Sequence, residues 1–180
     1  MLTLDNLYFR RPNMDDVAVI AELKNNEQAA FLLGGIQRHY THEDIKKWIQ
    51  FHNSNPNELL LVVEDLDKGK LIGHVGLYDI DRIARKTEFG ILIADDESRG
   101  KGYGTKATSI MVDYAFNVLG MHKVTAKILN ENIPSISMFK KCGFSIDGCL
   151  RDDVYKNDRF YDVICMSILN NTELELSKHK

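Results

Sequence analysis

Six consecutive residues, Arg99-Gly100-Lys101-Gly102-Tyr103-Gly104, combine two cations with three alternate glycines. That combination suits an anion. The glycines let the backbone take positive φ and let a ligand approach closely, while Arg99 and Lys101 favour a pyrophosphate over a neutral guest. Immediately downstream, Ala107, Ile110, Met111, Tyr114, Ala115, Val118 and Leu119 recur at helical spacing. An amphipathic helix is therefore expected to start at the glycines and to stop at Gly120. The first N–H groups of a helix have no intrahelical partner and point outward, which adds a second anion-binding element. Two familiar phosphate loops are excluded. No Lys-Ser or Lys-Thr pair follows the glycines at Walker spacing, and the third glycine comes two residues after the second, so the dinucleotide fingerprint fails too. What remains is R-x-x-G-x-G opening a helix.

This loop, following the apolar run Phe89-Gly90-Ile91-Leu92-Ile93, resembles the acetyl-CoA pyrophosphate loop of the GNAT N-acetyltransferases, whose signature is Q/R-x-x-G-x-G/A. Asn130-Glu131-Asn132-Ile133-Pro134-Ser135 and then Phe139-Lys140-Lys141-Cys142-Gly143-Phe144 are similar to the second CoA segment of that family. Tyr8-Phe9-Arg10-Arg11-Pro12 followed by Asp15-Asp16 resembles its opening strand and first helix, so the likeness covers nearly the whole chain. The branch it most resembles contains ribosomal-protein N-terminal, spermidine and nucleotide-amino-sugar acetyltransferases.

The resemblance implies acetyl-CoA as cosubstrate and transfer to a primary amine, on a protein N-terminus, a polyamine or an amino sugar, by direct attack in a ternary complex. Such a transfer needs a neutral amine, an oriented thioester and a proton for the departing thiolate. In the family's terms, Arg99, Gly100, Lys101, Gly102, Tyr103, Gly104 and Thr105 hold the pyrophosphate. The backbone of Ile91, Leu92 and Ile93 bonds the pantetheine arm, with one N–H polarising the thioester oxygen. Asn132 meets the pantetheine amides, or is an ordinary helix cap. Glu88 is the candidate base, or a solvated strand-end carboxylate beside Lys86. Ser135 matches a proton donor of some relatives, or is a first-turn helix residue. Where many relatives carry a Tyr that gives the proton, this chain has Phe139, which cannot. A CoA-binding sensor or partner module without turnover stays open as the alternative, and so does a homodimer.

The elements that must position these residues follow from periodicity and turn chemistry. Leu7 to Arg11 reads as a strand ending at Pro12. Asn13 caps a helix with Val17, Ile20, Ala21 and Leu23 on its apolar face, and Asn25-Asn26 ends it. Phe31 to Tyr40 has no period and reads as a connection. Thr41 with Asp44 forms a capping box for a helix that turns Ile45, Trp48 and Ile49 inward. Glu58 to Glu64 and Leu71 to Tyr78 form a hairpin around Asp67-Lys68-Gly69-Lys70, and Lys123 to Ile128 completes a right-handed β-α-β unit with the Phe89 strand. Pro134 to Lys141 is a helix. Phe144 to Leu150 and Phe160 to Leu169 are strands joined by the polar stretch Asp152 to Arg159. The fold expected is α/β, a single domain over residues 1–170 with a polar tail at 171–180, built on a mixed, mostly antiparallel sheet of about six or seven strands.

Composition narrows the function classes. With 44% hydrophobic and 27% charged residues over 180 positions, the chain suits one globular domain rather than a disordered segment. The formal net charge of -3 gives no basic footprint for nucleic acid. No apolar run approaches a membrane span and no signal-peptide core opens the chain, so a cytoplasmic enzyme is expected. Cys142, Cys149 and Cys165 form no C-x-x-C pair, and His39, His42, His52, His74, His122 and His179 fall at no ligand spacing, so neither disulfides nor a metal is expected. Asp152, Asp153 and Asp162 could meet a cationic acceptor, or be solvated strand-end acids.

Overall fold

The computed structural model describes residues 2–33, 38–94 and 100–171. Two short strands open the chain, β1 (Leu2–Leu4) and β2 (Leu7–Arg10). A 3-10 turn, Met14–Asp16, leads into α1 (Val17–Asn25), followed by α2 (Glu27–Leu32) and α3 (His42–Ser54). Next come β3 (Leu59–Asp65), β4 (Lys70–Asp81) and β5 (Lys86–Ile93). Helix α4 (Tyr103–Asp113) runs on through a π-helical segment, Tyr114–Val118, and the chain turns at Gly120 with φ of 68°. The remaining elements are β6 (Lys123–Leu129), α5 (Ile133–Lys141), β7 (Ser145–Lys156) and β8 (Arg159–Leu169).

Among the described residues all strands join one eight-stranded sheet in the order β1-β2-β3-β4-β5-β6-β8-β7, antiparallel except for the β5–β6 pair. The expected mixed, mostly antiparallel sheet is thus present. Its count is higher than six or seven because Leu2–Leu4 pairs with β2, a strand too short to show a period. The polar stretch expected to join the last two strands is mostly strand: β7 runs to Lys156 and the turn is only Asn157 and Asp158, both at positive φ. The segment from Phe31 also differs. Asn26 caps α2 by accepting from Ala29 N, which draws Phe31 and Leu32 into a short helix that their spacing does not announce.

Helix starts follow the caps. Asn13 and Thr41 each form a capping box with an Asp three residues on, satisfying donors that a helix start leaves over. Arg10 makes two 2.8 Å bonds to Asp16, fixing the entry of α1 against β2. The sheet is covered on both faces. Leu61 and Val63 of β3 join the larger core, with Phe9, Leu77, Met111 of α4 and Phe139 of α5. Val62, between them in sequence, points the other way onto Ile20 and Ala21 of α1 and Ile45 and Ile49 of α3. Each such buried apolar side chain contributes roughly 1.5–3 kcal/mol, which is what pins the helices to the sheet. Among the described residues, no helix is long and apolar enough to cross a membrane.

The feature that matters for a site is where the sheet opens. Strand β5 pairs with β6 only at Lys86↔Lys123, Thr87↔Val124 and Glu88↔Thr125. From Phe89 onward β5 keeps β4 as its neighbour, through Gly90↔Gly76 to Ile93↔Gly73, while β6 continues against β8 as far as Leu129↔Val163. The two parallel strands therefore diverge. The β6-facing backbone groups of Gly90 to Ile93 are left outside the ladder, and a strand edge in that condition takes an extended ligand as its next neighbour.

Candidate active site

The opening between β5 and β6 is flanked by the first turns of two helices. Gly102, at φ of 77°, is the N-cap of α4, and Gly100 lies at 74°. Space around both is open, so a left-handed backbone is what requires glycine there. Gly104 serves a different purpose: a Cβ on it would lie 2.7 Å from Met138 Sδ of α5, so it permits the close approach of the two helices. Tyr103 differs from its expected part as well. Its side chain is buried, and its hydroxyl donates to Asp65 Oδ2 at 2.9 Å while accepting from Asn6 Nδ2 at 3.1 Å. What Tyr103 offers a ligand is its backbone N–H; its ring and hydroxyl moor the start of α4 to the end of β3. Lys101 is exposed, and Thr105 is half-buried, with its carbonyl accepting from Cys142 Sγ. Arg99, with the polar turn before it, lies outside the described residues.

Helix α5 closes the other side. Asn132 caps it, Oδ1 accepting from Ser135 N at 3.2 Å, which leaves its amide group to donate elsewhere. Ser135 is half-buried in the first turn. Phe139 packs edge-on against Phe89, with ring centroids 5.9 Å apart, and against Phe144 at 4.9 Å. Phe89 is the first β5 residue beyond the last pair with β6, so Phe139 sits where the strands part. A ring without a hydroxyl there closes the core and gives no proton.

Glu88 occupies the last paired position on β5 and bonds Lys127 of β6, Oε2 to Nζ at 3.1 Å. That bond and the charge of Glu88 outweigh burial and hold the Lys127 ammonium above its ordinary range. Alternation along β5 puts Glu88 on the same face as Gly90.

That face floors a cavity of ≈ 240 Å³, roofed by α1 and α3. Lys24, Trp48, His52, His74 and Tyr78 meet Gly90 in its lining. The Tyr78 ring lies over Gly76 and Gly90, where a Cβ on either would meet it. Burial, reinforced by the charges of Glu58 and Glu88, holds the Tyr78 hydroxyl far above the usual phenol range. It is a neutral donor. His52 Nδ1 is bonded to Glu58. His74 is 5% exposed with no hydrogen-bond partner on either ring nitrogen among the described residues, and burial pushes it well below the usual imidazole range, so it is neutral. Lys24 is 7% exposed, its Nζ 4.2 Å from the Trp48 ring centroid and 5.0 Å from that of Tyr40. Burial, then the charge of Arg38, lowers its pKa to about 8.

The cavity is what residue spacing did not disclose, though a signal was present. Lys24 falls at i+7 of the α1 stripe Val17, Ile20, Ala21, and it rather than Leu23 is the buried residue there. His52 falls likewise at i+7 of Ile45 on α3. Polar side chains in the core stripe of two neighbouring helices mark a shared pocket. Asp152 and Asp153 lie elsewhere, in a separate open hollow on β7. Among the described residues, no three His, Cys, Asp or Glu side chains are grouped to hold a metal ion.

Comparison with known proteins agrees with this arrangement. Residues 6–145 match the family described as Acetyltransferase (GNAT) domain. The chain is 34% identical over 136 residues to the spermidine N(1)-acetyltransferase of Vibrio cholerae, covering 76% of this chain and 78% of that protein. It is 28% identical over 172 residues to the spermidine N(1)-acetyltransferase of Escherichia coli K12, covering 92% and 86%. In three dimensions it superposes on the crystal structure of the V. cholerae spermidine N-acetyltransferase in complex with CoA and spermine, with a TM-score of 0.85, 30% identity and coverage of 94% and 98%.

Proposed function

Since the chain belongs to the GNAT acetyltransferase family, we propose that it moves the acetyl group of acetyl-CoA to a small primary amine by direct attack in a ternary complex. The observation that carries this reading is the divergence of β5 from β6 after Glu88 and Thr125, with Gly102 and Asn132 at the helix starts on either side. The pantetheine arm extends the sheet along Ile91 to Ile93. The pyrophosphate rests on the N–H groups of Gly102 to Thr105, with Lys101 supplying charge. One β5 N–H aimed at the thioester oxygen stabilises the charge that develops there, and being preformed it needs no reorganisation.

The amine attacks from the ≈ 240 Å³ cavity, whose Gly90 wall is continuous with the β5 backbone. It must be neutral to attack. Glu88, bonded to Lys127, acts through a water that carries the ammonium proton out to solvent. The leaving thiolate takes its proton from Ser135 or from water, since Phe139 offers none. Spermidine and spermine head the amines to be tried, because the relatives named above act on or bind them.

The test is release of free thiol from acetyl-CoA with an amine panel, followed by initial rates at several concentrations of both substrates. Intersecting double-reciprocal lines are expected for a ternary complex. Parallel lines with an acetylated protein in the mass spectrum would contradict direct attack, and acetyl-CoA binding without thiol release from any amine would favour a sensor.

A further inference from the structure

Resting on the acetyltransferase reading, we infer that the acceptor amine also carries an acidic group, a carboxylate or phosphate, which Lys24 binds within the cavity under α1 and α3. The cavity is lined by Lys24, Arg38, His52 and His74, and its described lining contains no Asp or Glu. A polyamine entering it meets the cations Lys24 and Arg38, while the carboxylates whose charge reaches Tyr78, Glu58 and Glu88, are already bonded to His52 and Lys127. Two of the three aromatic side chains in the described lining that could hold a polyamine's charges already face cations: Trp48 and Tyr40 meet Lys24, and Tyr40 also meets Arg38 at 4.8 Å, which leaves Tyr78.

Lys24 is the informative group. Its ammonium is almost fully buried and, among the described residues, meets only aromatic rings, with no carboxylate against it. A buried cation without a counter-charge is costly, and its lowered pKa records that cost. Glu58 does not relieve it, being bonded to His52. Arg38 adds positive charge and is itself shared with Asp44 at 3.5 Å. His74, buried and, among the described residues, unpartnered on both nitrogens, keeps one ring N–H to donate. An anionic group would pair Lys24 and accept from His74 at once, while the amine of the same molecule lies toward Gly90.

Trp48 is the single tryptophan of the chain and touches Lys24, so its fluorescence reports occupancy of this cavity directly. Matched pairs isolate the charge: ethanolamine against O-phosphoethanolamine, glucosamine against glucosamine 6-phosphate, β-alanine for a carboxylate, and spermidine as the polyamine. The expected result is tighter quenching of Trp48, and kcat/KM at least tenfold higher, for the anionic member of a pair. Lys24→Met preserves the volume and removes the charge; it should collapse that ratio toward one while leaving acetyl-CoA affinity unchanged. Preference for spermidine over every anionic amine would overturn the inference and leave the acetyltransferase intact. So would an unchanged ratio in Lys24→Met. If no amine releases thiol, the acetyltransferase reading fails, and the Trp48 titration still decides the anion site: saturable quenching by the phosphate members, lost in Lys24→Met, supports it, and its absence refutes it.

Discussion

Tyr103→Phe removes one oxygen and nothing else, and the structure says what that oxygen does. It donates to Asp65 Oδ2 at 2.9 Å, and Asp65 is fully buried. The partners that remain include Asn6 Nδ2 at 3.3 Å and the N–H of Asp67 at 3.1 Å, both on the other carboxylate oxygen, and the N–H of Lys68. A hydrogen bond to a charged acceptor is worth about 1.5–3 kcal/mol, and leaving a buried carboxylate short of a donor puts the loss at about 2 kcal/mol. For a chain of this size that corresponds to a fall in Tm of roughly 4–8 °C. The pH dependence follows from Asp65. Burial acts to raise its pKa, but the Tyr103 hydroxyl and the N–H groups of Asp67 and Lys68 outweigh it and hold the value below the ordinary one. A carboxylate depressed in the folded state stabilises the protein above its unfolded pKa of about 3.9, and that stability is lost as pH falls through the folded value. The gap between wild type and Tyr103→Phe should therefore be full at pH 7 and shrink in acid. Urea unfolding of both proteins at neutral and acid pH measures it. A difference under about 0.5 kcal/mol at pH 7, or a gap that widens in acid, refutes the mooring role of Tyr103.

Gly102→Asp meets no neighbour, and the left-handed φ of 77° costs an Asp roughly 1–2 kcal/mol, so the variant should still fold, yet weaken acetyl-CoA at least tenfold in calorimetry by setting a carboxylate at the phosphate end of α4. Lys156→Met removes an ammonium that donates to the carbonyls of Ala30 at 3.3 Å, Phe31 at 2.9 Å and Leu33, closing the end of α2 over the acceptor cavity. Steady-state kinetics should show the acceptor KM raised at least fivefold with acetyl-CoA affinity within twofold of wild type. Ser135→Ala separates two proton sources: a drop in kcat of roughly a hundredfold with acetyl-CoA binding preserved assigns the donor to the serine, whereas water as donor leaves kcat within a fewfold. Water is the outcome expected, and Phe139→Tyr should then leave kcat unchanged.

The half of the candidate site proposed for the cosubstrate is legible in the sequence because its devices are local. Glycines at 100 and 102, a helix starting at Tyr103 and an Asn-x-x-Ser start for α5 are short-range devices, and each stands where its residue types require. Tyr103 and Gly104 were legible as loop residues but not as packing residues, because Asp65 and Met138 are far off in sequence. The half proposed for the acceptor is hardly legible at all. It is assembled from α1, α3 and β4, and Lys24 in an apolar stripe acquires meaning only once Trp48 and His74 are set beside it. Strand β7 runs past the end its sequence predicts for a related reason: it is an exposed edge strand, so its polar residues carry no burial pattern.

The central claim is that acetyl-CoA lies along the open edge of β5 and on the start of α4. Backbone amide NMR during a titration with CoA tests it most directly. The largest shifts, and new protection from hydrogen exchange, are predicted for the amides of Ile91 to Ile93, Gly102 to Thr105 and the Asn132 side chain. Saturable shifts confined to other elements, such as the β3–β4 hairpin around Gly69, with β5 and the first turn of α4 unmoved, would contradict it.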